Sequence, residues 1–112
     1  MKRVSPQRER RSNSSLFFVS LGEAQRAAGH HKAAIEAYQK ALYRSPDLLD
    51  AKAGLAAAYS LAGQDEEARA AVREILRIDP KFSLTYFAKT LPYKNSSDRD
   101  TAVEALRKAG LE

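Results

Sequence analysis

The stretch A-K-A-G-L-A-A-A-Y-S-L-A-G-Q-D-E-E-A-R-A-A-V-R-E-I-L-R-I-D-P, residues 51–80, decides the fold. An alanine-rich segment with helical periodicity runs into Gly63, a second periodic segment follows, and Pro80 ends it. That order reads as helix, tight turn, helix, stop. Gly63 stands where a helix finishes in the left-handed conformation, which costs a residue with a Cβ about 1 kcal/mol or more. Pro80 has no N–H, and its ring clashes with the preceding turn, so it blocks continuation. Ala58 and Ala68 are small enough for two helices to approach closely, while Leu55, Tyr59, Val72, Ile75 and Leu76 recur at helical spacing and are expected to fill the core.

The same pattern stands 34 residues earlier. Laying residues 15–48 over 49–82 pairs Leu21 with Leu55, Ala24 with Ala58, Ala28 and Gly29 with Ala62 and Gly63, Ala34 with Ala68, Ala37 with Ala71, Leu42 with Leu76, and Pro46 with Pro80. These identities fall at the small, apolar and chain-turning positions, which are the positions a repeated helix pair must keep. Leu21, Ile35, Tyr38 and Leu42 are the corresponding large core candidates of the first unit.

The period and residue pattern resemble the tetratricopeptide repeat over residues 15–82. Phe18 takes the family's first aromatic position, where the second unit has Lys52; Tyr59 supplies an aromatic where the first unit has Gln25. A third segment starts in register with Tyr86, and Pro92 is expected to interrupt its first helix. The tail L-P-Y-K-N-S-S-D-R-D-T-A-V-E-A-L-R-K-A-G-L is similar to that of bacterial tetratricopeptide regions attached to adenylate cyclases and winged-helix regulators, which end in a run like residues 107–111. No cyclase catalytic domain is present, so that activity does not carry over. Ser97 and Asp100 are spaced as a capping box, and Gly110 is placed to end the helix. Ala102, Val103, Leu106 and Ala109 form one apolar stripe, so the last helix is expected to cover the open end of the stack.

The expected architecture is therefore all-α: an antiparallel helix-pair solenoid with two full repeats (15–48 and 49–82) and a partial repeat with a capping helix (83–112). Residues 1–14 are expected to be a disordered basic arm. They hold Lys2, Arg3, Arg8, Arg10 and Arg11 against Glu9, most of the chain's net charge of +5, with little apolar surface to offset ordering entropy.

Composition narrows the chemistry. With 112 residues and 44% hydrophobic content, the chain has room for one domain with a modest core. It has no cysteine, which excludes thiolate metal sites, disulfides and a cysteine nucleophile. The apolar run at residues 16–21 is far shorter than the roughly 20 residues of a membrane span, and a cytoplasmic protein without a span is expected.

His30 and His31 are adjacent, directly after Gly29. Neighbouring helical positions point about 100° apart, and there is no third histidine, so the pair is read as part of a solvated turn with no metal or cofactor. The acidic cluster Asp65, Glu66 and Glu67 complements a helix N-terminus. Tyr43, Tyr86 and Tyr93 have the chemistry to stack nucleobases, but aromatics at helical spacing are read as core. No phosphate-cradling glycine run, metalloprotease motif or strand-turn-helix serine occurs, so no catalytic residue and no enzyme is expected.

The resemblance implies a protein-interaction module, a regulatory, signalling or scaffold element that binds a peptide or helix in an apolar concave groove. The family's first helices line that groove. Carried over by position, they contribute Leu16, Val19, Glu23 and Arg26 from the first unit, Ala53, Ala57 and Ser60 from the second, and Phe87 and Leu91 from the third. Members that grip a chaperone's C-terminal carboxylate use cations at positions that correspond here to Val19, Glu23, Gly54, Phe87 and Leu91, so that ligand is not expected. Two competing readings are a nucleic-acid-associated protein using the basic arm, which has the charge to touch nucleic acid or anionic lipid, and a regulatory fragment that self-associates through the groove.

Overall fold

The computed structural model describes residues 6–90 and 96–112, with side chains over 14–89 and 99–112. Its elements are α1 (Pro6–Ala27), α2 (His31–Arg44), α3 (Leu49–Leu61), α4 (Asp65–Ile78), α5 (Leu84–Thr90) and α6 (Ser96–Lys108), and no strand occurs among the described residues. Sequential helices pair, α1 with α2 and α3 with α4, and the pairs stack through α2 on α3, as the repeat predicts.

Three glycines make the same turn. Gly29, Gly63 and Gly110 have φ of 84°, 82° and 108°. At each, the following N–H donates to a carbonyl five residues back: His30 to Gln25 (2.8 Å), Gln64 to Tyr59 (2.9 Å), and Leu111 to Leu106 (3.0 Å). Each glycine N–H in turn donates three residues back, to Arg26, Ser60 and Arg107. This pair of bonds satisfies the last carbonyls of the helix and requires a left-handed residue. The local rule read at Gly63 thus recurs at the end of the last helix, where α6 stops and Leu111 turns inward to be buried.

Tyr38 holds the first pair to the second. It is 1% exposed and sits between two helical glycines: a Cβ at Gly22 of α1 would lie 2.8 Å from its ring, and one at Gly54 of α3 would lie 2.4 Å from it. Bare backbone on both sides creates the slot for a ring at this three-helix junction. Arg26 closes the end of the slot, with its Nε donating to the Tyr38 hydroxyl at 3.4 Å. Ser15, also buried, ties α1 to the end of α2 through a 2.7 Å bond between its Oγ and that of Ser45.

A second cluster joins α3, α4, α5 and α6. Ala53, Ala56 and Ala57 of α3 pack with Val72 and Ile75 of α4, Phe87 of α5, and Ala102, Ala105 and Leu106 of α6. The backbone of Glu112 returns to accept a 3.0 Å bond from the Leu84 N–H at the start of α5. The apolar stripe predicted on the last helix is thus its packing face, with Val103 at the edge. Its main partner is α3, with α5 as a lesser one.

The boundary of the N-terminal arm is corrected. Residues 6–14, expected to be disordered, belong to α1, and residues 1–5 lie outside the described residues. Pro6 suits the first helical position, and Gln7, Arg8, Glu9, Arg10 and Arg11 are strong helix formers. A helix already nucleated from residue 15 onward extends through such residues at little cost. The interruption expected at Pro92 and the cap expected of the Ser97 side chain also lie outside the described residues.

Candidate functional site

Of the nine residues expected along a concave groove, the eight that are described do not form one open surface. Ala53 and Ala57 have no exposure, Phe87 is buried, and Arg26 is 3% exposed beneath Tyr38. Ser60 is half-buried and lines a cleft with Asp100, Thr101 and Glu104 of α6. Leu91 lies outside the described residues. Among the described residues the α1 end is the more accessible: Leu16 is 59% exposed, and Val19 and Glu23 are half-buried.

The physical reason lies in the alanines. A stripe of small residues on α3 admits a closely packed helix whatever chain that helix belongs to. Here the chain's own α6 supplies it, placing Ala102, Ala105 and Leu106 in one cluster with Ala53, Ala56 and Ala57 of α3. Ala53, Ala57, Phe87 and Arg26 are therefore core residues, a correction to the expected contact set.

Exposed aromatic surface lies instead on the outer side of the first pair. Tyr43 is 89% exposed and Phe17 61%, and Phe17 meets Phe18 edge-to-face with ring centroids 5.4 Å apart. Phe18, Glu36, Gln39, Lys40, Tyr43 and Arg44 line one shallow depression. Two cations lie over the Phe18 ring, Lys40 Nζ at 5.6 Å and Arg44 Cζ at 5.9 Å from its centroid, within cation–π range. Lys40 and Arg44 are four residues apart on α2, so one helix face presents both. Leu16 belongs to a different surface: at about 100° per residue, it and Phe18 lie on opposite flanks of α1.

These residues were missed because Tyr43 was read as core. A signal existed in the run Leu16, Phe17, Phe18. Three consecutive apolar residues on a helix span about 200° and cannot all face one core. Tyr86, likewise 53% exposed, rests its ring against Phe82 with centroids 5.2 Å apart. Tyr93 lies outside the described residues.

The histidines occupy the first turn. His30 is exposed at the cap position of α2, with Nδ1 2.9 Å from Gln25 Oε1, and His31 begins the helix. Among the described residues no group of three His, Asp or Glu side chains is arranged to hold a metal ion. No described helix is long and apolar enough to cross a membrane.

With two glycine-turned pairs stacked at a 34-residue period, comparison with known families becomes decisive, and the tetratricopeptide repeat model matches residues 25–87, more than half of the chain. The chain belongs to the tetratricopeptide repeat family. A similar curated protein is the uncharacterised protein ycf37 of Cyanophora paradoxa, 36% identical over 74 residues. That alignment spans 66% of this chain and 43% of the relative's length. Tetratricopeptide repeats generally mediate protein–protein interaction.

Proposed function

We propose that the chain is a protein-interaction module whose partner docks on the outer face of α1 and α2, at Phe17, Phe18, Lys40, Tyr43 and Arg44. The observation that carries this reading is the occupation of the α3 alanine stripe by α6, which leaves the α1–α2 face with the most exposed aromatic side chain of the described set. Aromatic and arginine side chains dominate binding energy at interfaces because they combine large apolar area with directed polar or cationic contacts. Phe17 and Tyr43 offer the area; Lys40 and Arg44 offer donors to acceptors on the partner.

A photo-crosslinking residue substituted at Tyr43, and separately at Leu16, tests the site in the protein's own cells. The Tyr43 position should give a discrete adduct that Phe17→Ser with Lys40→Glu abolishes, and the Leu16 position should give none. An adduct from Leu16 alone would return the site to the concave side and refute the outer-face reading.

A further inference from the structure

A second groove lies between α5 and α6, remote in sequence from the α1–α2 face, and its charge is one-sided. Its lining consists of Leu84, Thr85, Ala88 and Lys89 of α5 with Arg99, Val103 and Arg107 of α6. Arg99, Val103 and Arg107 follow one another at four-residue spacing, so they share a flank of α6 beside its buried stripe. The floor is apolar, formed by the half-buried Leu84, Ala88 and Val103, and among the described lining residues three are cations and none is a carboxylate. Glu104 accepts one bond from Arg107 Nη1 from outside the groove, which leaves other guanidinium donors available.

We propose that this groove binds an acidic amphipathic helix of a partner protein. The match is both apolar and electrostatic. Leu84 and Ala88 are one turn apart and present an apolar strip about one to two turns long, enough for a pair of leucine-sized side chains at four-residue spacing. Arg99 and Arg107 are eight residues apart, about 12 Å along α6, so they meet carboxylates two turns apart on the incoming helix. Lys89 faces the same helix from the α5 side. The chain's own N-terminal arm is excluded as occupant by sign, because residues 1–14 carry five cations against one acid.

The probe is a fluorescein-labelled synthetic helical peptide with a leucine pair at i and i+4 and glutamates one turn outside each. Controls replace its glutamates by lysine, or its leucines by serine. With the full chain, fluorescence anisotropy should show saturable binding of the leucine–glutamate peptide alone, weakened by added salt. Arg99→Glu and Lys89→Glu, both with the parent's circular dichroism, should each weaken it about tenfold, as expected for reversing a rim charge that faces a carboxylate. Tyr43→Ser should leave it unchanged, so failure here is separable from failure at the α1–α2 face. Equal binding of the lysine peptide, or unchanged affinity in both charge variants, would overturn the proposal. So would cation-dependent binding to vesicles with 30 mol% (about one-third) anionic lipid in place of the peptide, or self-association in sedimentation that the variants abolish.

Discussion

Gly54→Ala separates local helix physics from tertiary packing because the two give opposite signs. In the interior of α3, replacing glycine by alanine is intrinsically favourable by about 1 kcal/mol. The Cβ it adds would lie 2.4 Å from Cε1 and Cζ of Tyr38 and 2.7 Å from its hydroxyl. That ring cannot swing aside: it is 1% exposed, and on its other side a Cβ at Gly22 would already lie 2.8 Å away. Overpacking of this kind costs about 1–3 kcal/mol, and an overlap so far inside van der Waals contact belongs in the upper part of that range. Subtracting the helix gain leaves a net loss of about 1–2 kcal/mol. Tyr38→Leu removes the atoms that the new methyl meets. In that background Gly54→Ala should recover its intrinsic gain of about 1 kcal/mol, so the double-mutant cycle should show a coupling of about 2–3 kcal/mol. Urea unfolding followed by far-UV circular dichroism measures all four proteins. Should Gly54→Ala equal or exceed the parent's stability while Tyr38 is present, the glycine-lined slot is not what seats the ring.

Leu106→Ala should cost about 2–5 kcal/mol, because the side chain has no exposure and bridges α6 to the α3 alanines, whereas Glu104→Ala on the exposed side should stay within about 0.5 kcal/mol; thermal unfolding of the two variants compares them. Replacing His30 and His31 together by glutamine should also change stability by no more than about 0.5 kcal/mol, and added zinc should not raise the parent's melting temperature; a zinc-dependent rise absent from the variant would reveal a metal site. The Glu74 carboxyl is held below its ordinary pKa, first by its hydrogen bonds from Arg77 and then by that residue's charge. Its small contribution is therefore present above the ordinary carboxylate range and lost as pH falls through the lowered value; carbon-detected NMR titration should show that midpoint returning toward normal in Arg77→Gln.

What the sequence determined by itself is where the helices of each pair end and where the main core positions of each pair fall. The 34-residue period, the glycines at 29, 63 and 110, and the prolines after the second helices specify helix ends through backbone sterics that need no distant partner. Apolar spacing likewise identified Ile35, Tyr38, Val72 and Ile75 as core, since a helix has one inward face. Tertiary structure alone decided which surface stays open. The alanines at 53, 56 and 57 read identically whether the helix lying on them comes from a partner or from residues 96–108 of the same chain, because smallness encodes close approach and not the identity of what approaches. The slot for Tyr38 was equally invisible: Gly22 and Gly54 have ordinary helical φ and look like weak points in helices, and only the juxtaposition of α1, α2 and α3 places both against one ring. Tyr43 shows the converse: helical spacing marks it as core, but it lies beyond the edge of the buried face of α2, where no described helix covers it.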